Sequence, residues 1–315
     1  MTHALPSPDA PLKIGTRGSP LALAQAHETR ARLMAAHDLP EEAFEVIVIK
    51  TTGDRVQDRA LREIGGKGLF TKEIEEALLS GGIDIAVHSM KDMPVEQPDG
   101  LALTTYLPRE DVRDAFISPE FNGLADLPKG AVVGTSSLRR HAQLKQVRPD
   151  LEVVEFRGNV QTRLRKLSEG VATCTFLAMA GINRLKMNDV PATPIDVNDM
   201  LPAVAQGAIG IEQRQDDSAV SELLQPIHDA PTGQRLAAER AFLAELDGSC
   251  ETPIAGLAEL DGANIRLRGE IIRPDGSESI SGEISGPIED GVSLGRTLAK
   301  QLREQAPADF FDWQT

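Results

Sequence analysis

Ile14-Gly15-Thr16-Arg17-Gly18-Ser19-Pro20 and Val133-Gly134-Thr135-Ser136-Ser137-Leu138-Arg139-Arg140 decide the reading of the fold. Each follows a short apolar run, passes through Gly-Thr and a hydroxyl residue, and enters a helical pattern. Ser19 stands where an N-cap belongs, with Pro20 at the first helical position. The doubled pattern suggests two α/β lobes that open alike. It places two helix N-termini, with free backbone N–H groups, at the ends of two strands. Such ends attract anions, although two ordinary capped helices satisfy the same pattern.

Outward from these stretches, strand and helix signals alternate. The Ala/Leu-rich helix after Pro20 runs to about His37. Phe44–Ile49 reads as a strand, Thr71–Leu79 as a helix ended by Gly81-Gly82, and Ile83–Val87 as a strand. The second series reads as a helix at Leu138–Arg148, a strand at Glu152–Phe156, a helix at Val160–Ser168 and an apolar run at Val171–Leu177. Such alternation predicts a parallel or mixed sheet with helices on both faces. Ala208–Glu212 is strand-like and is expected to return the chain to the first lobe. Thr51–Gly68 is long, charged and glycine-bearing, which marks a functional or mobile loop. The last third differs: a helix at Pro231–Asp247, alternating runs in Ile254–Ser285 around Asp261-Gly262 and Asp275-Gly276, and an amphipathic helix at Val292–Gln305. Asp-Gly turns between alternating runs predict an antiparallel meander.

Composition removes several function classes. The 315 residues carry a net charge of -15, a poor match to a nucleic-acid backbone, which needs a basic face. Aromatics are 3%, too few for a single-strand stacking platform. Two cysteines, Cys174 and Cys250, cannot build a disulfide framework. No export signal and no apolar run of membrane-spanning length is visible, so the expectation is a soluble cytoplasmic protein without membrane or nucleic-acid partners. One anomaly stands out: residues 134–166 hold eight Lys or Arg against three Asp or Glu.

The chemistry-bearing residues fall into three groups. His88-Ser89-Met90-Lys91-Asp92-Met93-Pro94 follows a buried-looking strand, where open α/β sheets place ligands. Asp92 there is suited to holding charge opposite a developing cation, or to capping a surface turn; His88 alone reads as a structural histidine. Cys250 lies in the loop-like Gly248-Ser249-Cys250-Glu251-Thr252-Pro253, where a reachable thiol is a covalent attachment point. Cys174 reads as a small buried hydrophobe. The arginines of the basic island, Arg139, Arg140, Arg157, Arg163 and Arg165, supply forks for carboxylates or phosphates; Lys145, Arg148 and Lys166 read as solvated helix charges. No His/Cys spacing suits a metal, so no metal site is expected.

Taken in order, Thr16–Leu23, Gly65–Phe70, Val87–Pro94, Gly134–Arg140, Arg157–Val160, Leu201–Gly210 and Gly248–Ile254 resemble the porphobilinogen deaminase family over nearly the whole chain. The resemblance implies an α/β fold. Two periplasmic-binding-protein-like lobes flank a cleft, and a small C-terminal α+β domain carries a three-stranded antiparallel sheet. The boundaries expected are 8–107 with 208–226, 112–203, and 230–315. It implies a monomeric transferase of tetrapyrrole and haem biosynthesis that joins four porphobilinogens into hydroxymethylbilane with loss of ammonia. A dipyrromethane cofactor would be held by thioether on Cys250, its carboxylates on Lys91, Ser137, Arg139, Arg140 and Arg163. Substrate would meet Arg17, Ser19, Arg157 and Arg184, bordered by Lys67 and Phe70, with Asp92 as the catalytic carboxylate. Two positions depart from the family pattern, Thr173 and Ala205, and neither has a charge-binding role. A non-catalytic two-lobed anion-binding protein is the alternative, but it leaves Cys250 unexplained. A cysteine acyltransferase lacks a base, because His88 is far away in sequence.

Overall fold

The computed structural model describes residues 5–55, 71–248 and 252–311. Contacts divide the described chain into two compact units. The chain passes from the first to the second after Arg109, returns after Gly207 and leaves again after Gly233.

The first unit is built on β1 (Leu12–Thr16), β2 (Phe44–Val48), β3 (Ile85–Ser89), β4 (Leu101–Tyr106) and the late strand β10 (Ile209–Arg214), in the order β2-β1-β3-β10-β4. β1 runs parallel to β2 and β3, whereas β10 is antiparallel to both β3 and β4. The segment read as a returning strand therefore does rejoin this sheet, between β3 and β4. Helix α1 (Pro20–His37) buries Ala26 and Leu33 against Ile14, Ile85 and Ile211. Helix α2 (Lys72–Leu79) covers a separate cluster with Ile74 and Leu78. Ile83 was expected inside β3 but precedes it. Asp84 is held by its N–H on the Lys13 carbonyl, and the Ile83 side chain lies across the sheet end, where a Cβ on Gly15 would meet it at 2.2 Å. The glycine of the opening motif makes room for that side chain.

The second α/β sheet repeats the plan. Its strands are β5 (Asp114–Ile117), β6 (Val132–Gly134), β7 (Glu152–Val154), β8 (Cys174–Ala178) and β9 (Ala192–Pro194), ordered β7-β6-β8-β5-β9. β6 is parallel to β7 and β8, and β5 is antiparallel to β8 and β9. In both sheets the fourth strand is the first one reached after the chain crosses from the other unit. The equivalent of Gly15 is Gly134, where a Cβ would stand 2.5 Å from the Phe156 ring. The doubled opening motif thus marks a doubled sheet topology. Helices α3 (Leu138–Val147), α4 (Val160–Ser168) and α5 (Met179–Arg184) complete this layer.

The second unit also holds the C-terminal sheet, in which β11 (Ile254–Asp261), β12 (Asn264–Ile272) and β13 (Ser279–Pro287) form the expected antiparallel meander. Both Asp-Gly turns use glycine in the left-handed region, at Gly262 and Gly276. After α6 (Ser218–Leu224) in the first unit, the long α7 (Ala230–Glu245) and the final α8 (Gly291–Gln305) belong to this sheet. Phe242 of α7 and Leu298 of α8 meet over Gly269 of β12. Ala205, one of the two departures, is 1% exposed and sits at φ 61°. Its N–H is tied to Glu239 Oε2 at 2.7 Å. Thr173 precedes β8, its N–H on the Val132 carbonyl and its carbonyl accepting from Ser118 Oγ.

Candidate functional site

The end of β3 is a short helical turn, Met90–Asp92, pinned at both sides by methionine. Met90 and Met93 are buried, and Met90 lies where a Cβ on Gly210 would be, 2.1 Å from its sulfur. Alternation of buried Met with half-buried Lys91 and Asp92 turns the two charged side chains outward. The apolar anchor and the missing Cβ together fix where Asp92 stands.

Asp92 lines a hollow of ≈ 70 Å³ with Arg17, Ser19, Gln25, His88 and Ser89. The start of α1 forms one wall: Ser19 Oγ accepts the Ala22 N–H at 3.2 Å, and Thr16 Oγ1 donates to the Ala22 carbonyl. Gln25 and Ser89 hydrogen bond across the hollow at 2.8 Å. His88 forms part of the floor, its Nε2 3.0 Å from the fully buried Glu212 Oε2. Nearby Glu75 is raised above the usual carboxylate range, first by burial and then by the charge of Glu212, against lowering contributions from Thr71 and His88. The hollow therefore joins an acidic group, a guanidinium and hydroxyls in one small volume.

In the second unit, Ser137 caps α3 by accepting the Arg140 N–H. Arg139 and Arg140, both 4% exposed, converge on Asp114, which is fully buried at the start of β5. Arg139 Nη1 donates to Asp114 Oδ2 at 2.7 Å, and Arg140 Nε and Nη2 donate to Oδ1 at 2.9 and 2.7 Å. Burial works to raise the Asp114 carboxyl, but the charges of Arg139 and then Arg140, with their hydrogen bonds, hold it well below the usual carboxylate range. Burial also lowers Arg140, against the pull of Asp114. Two cations share one carboxylate, and Arg139 Nε is a buried donor with no partner among the described residues.

The rest of the basic island is largely engaged in holding its own fold. Lys145 caps the Leu151 carbonyl at 2.5 Å, Arg148 binds Asp150 and two carbonyls, and Lys166 reaches the Arg157 carbonyl and lies over the Phe156 ring. These three were expected to be plain solvated charges; each instead fastens a loop. Arg163 Nε donates to the carbonyl of Gly158 at 2.9 Å, just before the Asn159 cap of α4. Arg184, at the end of α5, donates to the Gly207 carbonyl. There a Cβ would stand 2.5 Å from the Glu110 carbonyl oxygen.

The structure thus brings Arg17, Ser19 and Asp92 together, with Lys91 adjacent, and gathers Ser137, Arg139 and Arg140 at one helix start. Arg157, Arg163 and Arg184 belong to the second unit on separate elements. Lys67, Phe70 and Cys250 lie outside the described residues. Sequence reasoning missed Asp114, Gln25 and Glu212. The signal for two of them was present, since Asp114-Ala115-Phe116-Ile117 and Ile209-Gly210-Ile211-Glu212 each carry an acid in an apolar run. Cys174 is fully buried and burial pushes its thiol up to about 12, which suits a packed, unreactive residue. No cluster of metal-ligating residues occurs among the described residues, and no described helix is long and apolar enough to cross a membrane.

Residues 12–222 match the family pattern described as porphobilinogen deaminase, dipyromethane cofactor binding domain, and residues 234–304 match the porphobilinogen deaminase C-terminal domain. The chain belongs to the porphobilinogen deaminase family. A porphobilinogen deaminase of Paracoccus denitrificans is 65% identical over 309 residues, 98% of this chain and 99% of that protein. One from Nitrobacter winogradskyi is 54% identical over 298 residues, covering 95% and 94%. Among solved structures, the periplasmic VFT2 domain of Bordetella pertussis BvgS aligns with 73% of this chain and 92% of its own, at 14% identity and a TM-score of 0.41. The acidic pyrrole cofactor of the porphobilinogen deaminase family suits the residues present. Arg139 Nε is a buried donor without a partner among the described residues, in a cluster of two cations on one carboxylate, and an added carboxylate would satisfy it.

Proposed function

We propose that this chain is a hydroxymethylbilane synthase. It joins four porphobilinogens head to tail, releases ammonia at each step, and works as a cytoplasmic monomer in tetrapyrrole biosynthesis. The observation that carries this reading is the family match over both parts of the chain, taken with Asp92 set in a hollow beside Arg17 and Ser19. Each porphobilinogen carries an acetate and a propionate. Arg17, Ser19, Arg157 and Arg184 are assigned to those carboxylates, and Lys67 and Phe70 to the border of the site.

A dipyrromethane, linked by thioether to Cys250, supplies the primer on which the chain grows. Lys91, Ser137, Arg139, Arg140 and Arg163 are assigned to its carboxylates. Burying such anions requires fixed cations and N–H donors, because an uncompensated buried charge is costly. Loss of ammonia from porphobilinogen leaves an electron-poor azafulvene-type cation, and Asp92 supplies the opposite charge facing it. The division into 8–107 with 208–226, 112–203 and 230–315 is proposed as the domain plan, with the C-terminal part carrying the cysteine.

The test is turnover of porphobilinogen with detection of the linear tetrapyrrole. Asp92→Asn is expected to keep its melting temperature and lose about 10²-fold or more of the rate, the size of a lost electrostatic contribution. Near-normal consumption by that variant removes Asp92 from its role. A wild-type protein that binds porphobilinogen without consuming it favours the binding-protein alternative.

A further inference from the structure

We propose that His88, oriented by Glu212, is a second catalytic residue of the coupling reaction and takes up the proton that each coupling releases from a pyrrole ring carbon. This rests on the porphobilinogen reading above and assigns a role that Asp92 does not fill.

His88 on β3 and Glu212 on β10 lie on neighbouring strands, with Gly210 opposite His88 and Ala86 opposite Glu212. His88 is 6% exposed and Glu212 is fully buried, with Nε2 and Oε2 3.0 Å apart. The other Glu212 oxygen, Oε1, is buried and has no hydrogen-bond partner among the described residues. A carboxylate buried this deeply, with half its acceptors unused, is a poor way to stabilise a fold. It is a good way to orient an imidazole and hold it when it becomes charged. His88 Nδ1 has no hydrogen-bond partner among the described residues, and the ring lines the same hollow as Asp92. One nitrogen on a buried acid and the other without a partner among the described residues, on a ring that lines the hollow, is the arrangement of a base with its orienting group. The charged groups around the ring are Glu212 on β10, Glu75 on α2, and Arg17 and Asp92 in the hollow wall.

The chemistry needs such a group. The C–N bond of a protonated aminomethyl breaks, and ammonia leaves with the electron pair. A new C–C bond forms from the free carbon of a pyrrole ring, so that carbon then carries a surplus hydrogen. Its C–H bond breaks, the electron pair restores the aromatic ring, and the proton goes to His88 Nδ1. The imidazolium passes it to the departing ammonia, which becomes ammonium, and no further reactant is needed. Asp92 holds the cationic charge and His88 moves the proton.

The test uses the purified, cofactor-bearing enzyme. In His88→Gln, kcat is expected to fall about 10²-fold, the usual contribution of a positioned base, with KM nearly unchanged. Porphobilinogen deuterated at its free ring carbon should then react more slowly than the unlabelled compound. A purely structural histidine would not produce that isotope effect. ¹⁵N spectra of the wild type should show Nε2 protonated and Nδ1 bare. Glu212→Gln keeps a hydrogen bond and removes the charge; it should lower kcat about tenfold and also expose the isotope effect, and it serves if His88→Gln fails to fold. Unchanged kcat in both variants, a loss of rate without an isotope effect, or a proton resident on Nδ1 overturns the proposal. A wild type that consumes no porphobilinogen overturns the functional reading instead, and the ¹⁵N spectra still decide whether His88 is set up as a base.

Discussion

At the scale of single residues, Asp114 carries the most weight for the least visibility. It neutralises Arg139 and Arg140 where neither reaches bulk water, and Gln206 Nε2 adds a hydrogen bond at 3.2 Å. Removing one partner from a buried ion cluster strands the others, typically at a cost of about 3–5 kcal/mol. Asp114→Asn is therefore expected to lose at least the lower end of that range at neutral pH, read from urea unfolding. The pH dependence follows from the direction of the shift. The Asp114 carboxyl is held below its unfolded range in the native protein. Its contribution is fully present above the unfolded value of about 3.9 and is lost as the pH falls through the lower, folded value. The gap between wild type and Asp114→Asn should thus be full at pH 7 and shrink below about pH 4. A gap that stays constant into acid would show that the charge of Asp114 is not what stabilises the native state.

At the scale of elements, α7 and α8 pack backbone against backbone. A Cβ on Gly295 of α8 would stand 2.3 Å from the Ala238 carbonyl oxygen of α7 and 3.0 Å from the Phe242 nitrogen. Both are backbone atoms of a packed helix, so the helices have to separate. Gly295→Ala gains helix propensity of roughly 1 kcal/mol but overpacks a tight contact, which costs about 1–3 kcal/mol. A net loss of stability is expected in thermal unfolding, and a raised melting temperature would show that the helices adjust freely. Elements with regular periodicity were legible from sequence: α1, both opening strands, the returning β10 and the Asp-Gly meander. β5 was not, because its first residue is an acid whose neutralising arginines lie 25 and 26 positions away. The same physics hid part of the site. Residue types and order made Asp92 and the arginines candidates, but did not reveal the pairing of His88 with Glu212, nor that Arg139 and Arg140 share a carboxylate. Those depend on which strands become neighbours, and β10 enters its sheet from 120 positions beyond β3 in the chain.

At the scale of the whole molecule, the charge of -15 and the basic island resolve into a division of labour. Acidic residues dominate the total, while much of the island is drawn into internal ion pairs and carbonyl caps. An anionic substrate is therefore compatible with an acidic protein, whereas a long polyanion that needs an extended basic face is not. The same whole-chain view makes the covalent assignment testable, because the chain has two cysteines. Cys174 is fully buried in β8, and burial pushes its thiol up to about 12, so it offers neither access nor a thiolate. A thioether-linked cofactor then falls to Cys250. Intact mass should place the purified active protein above its sequence mass of 33.9 kDa by one dipyrromethane. Cys174→Ala should retain that increment, and Cys250→Ser should lack it together with porphobilinogen turnover. An active preparation at the bare sequence mass would remove the covalent primer from the proposed function. An increment that follows Cys174 instead would move the anchor into the second sheet, against the burial that argues for Cys250.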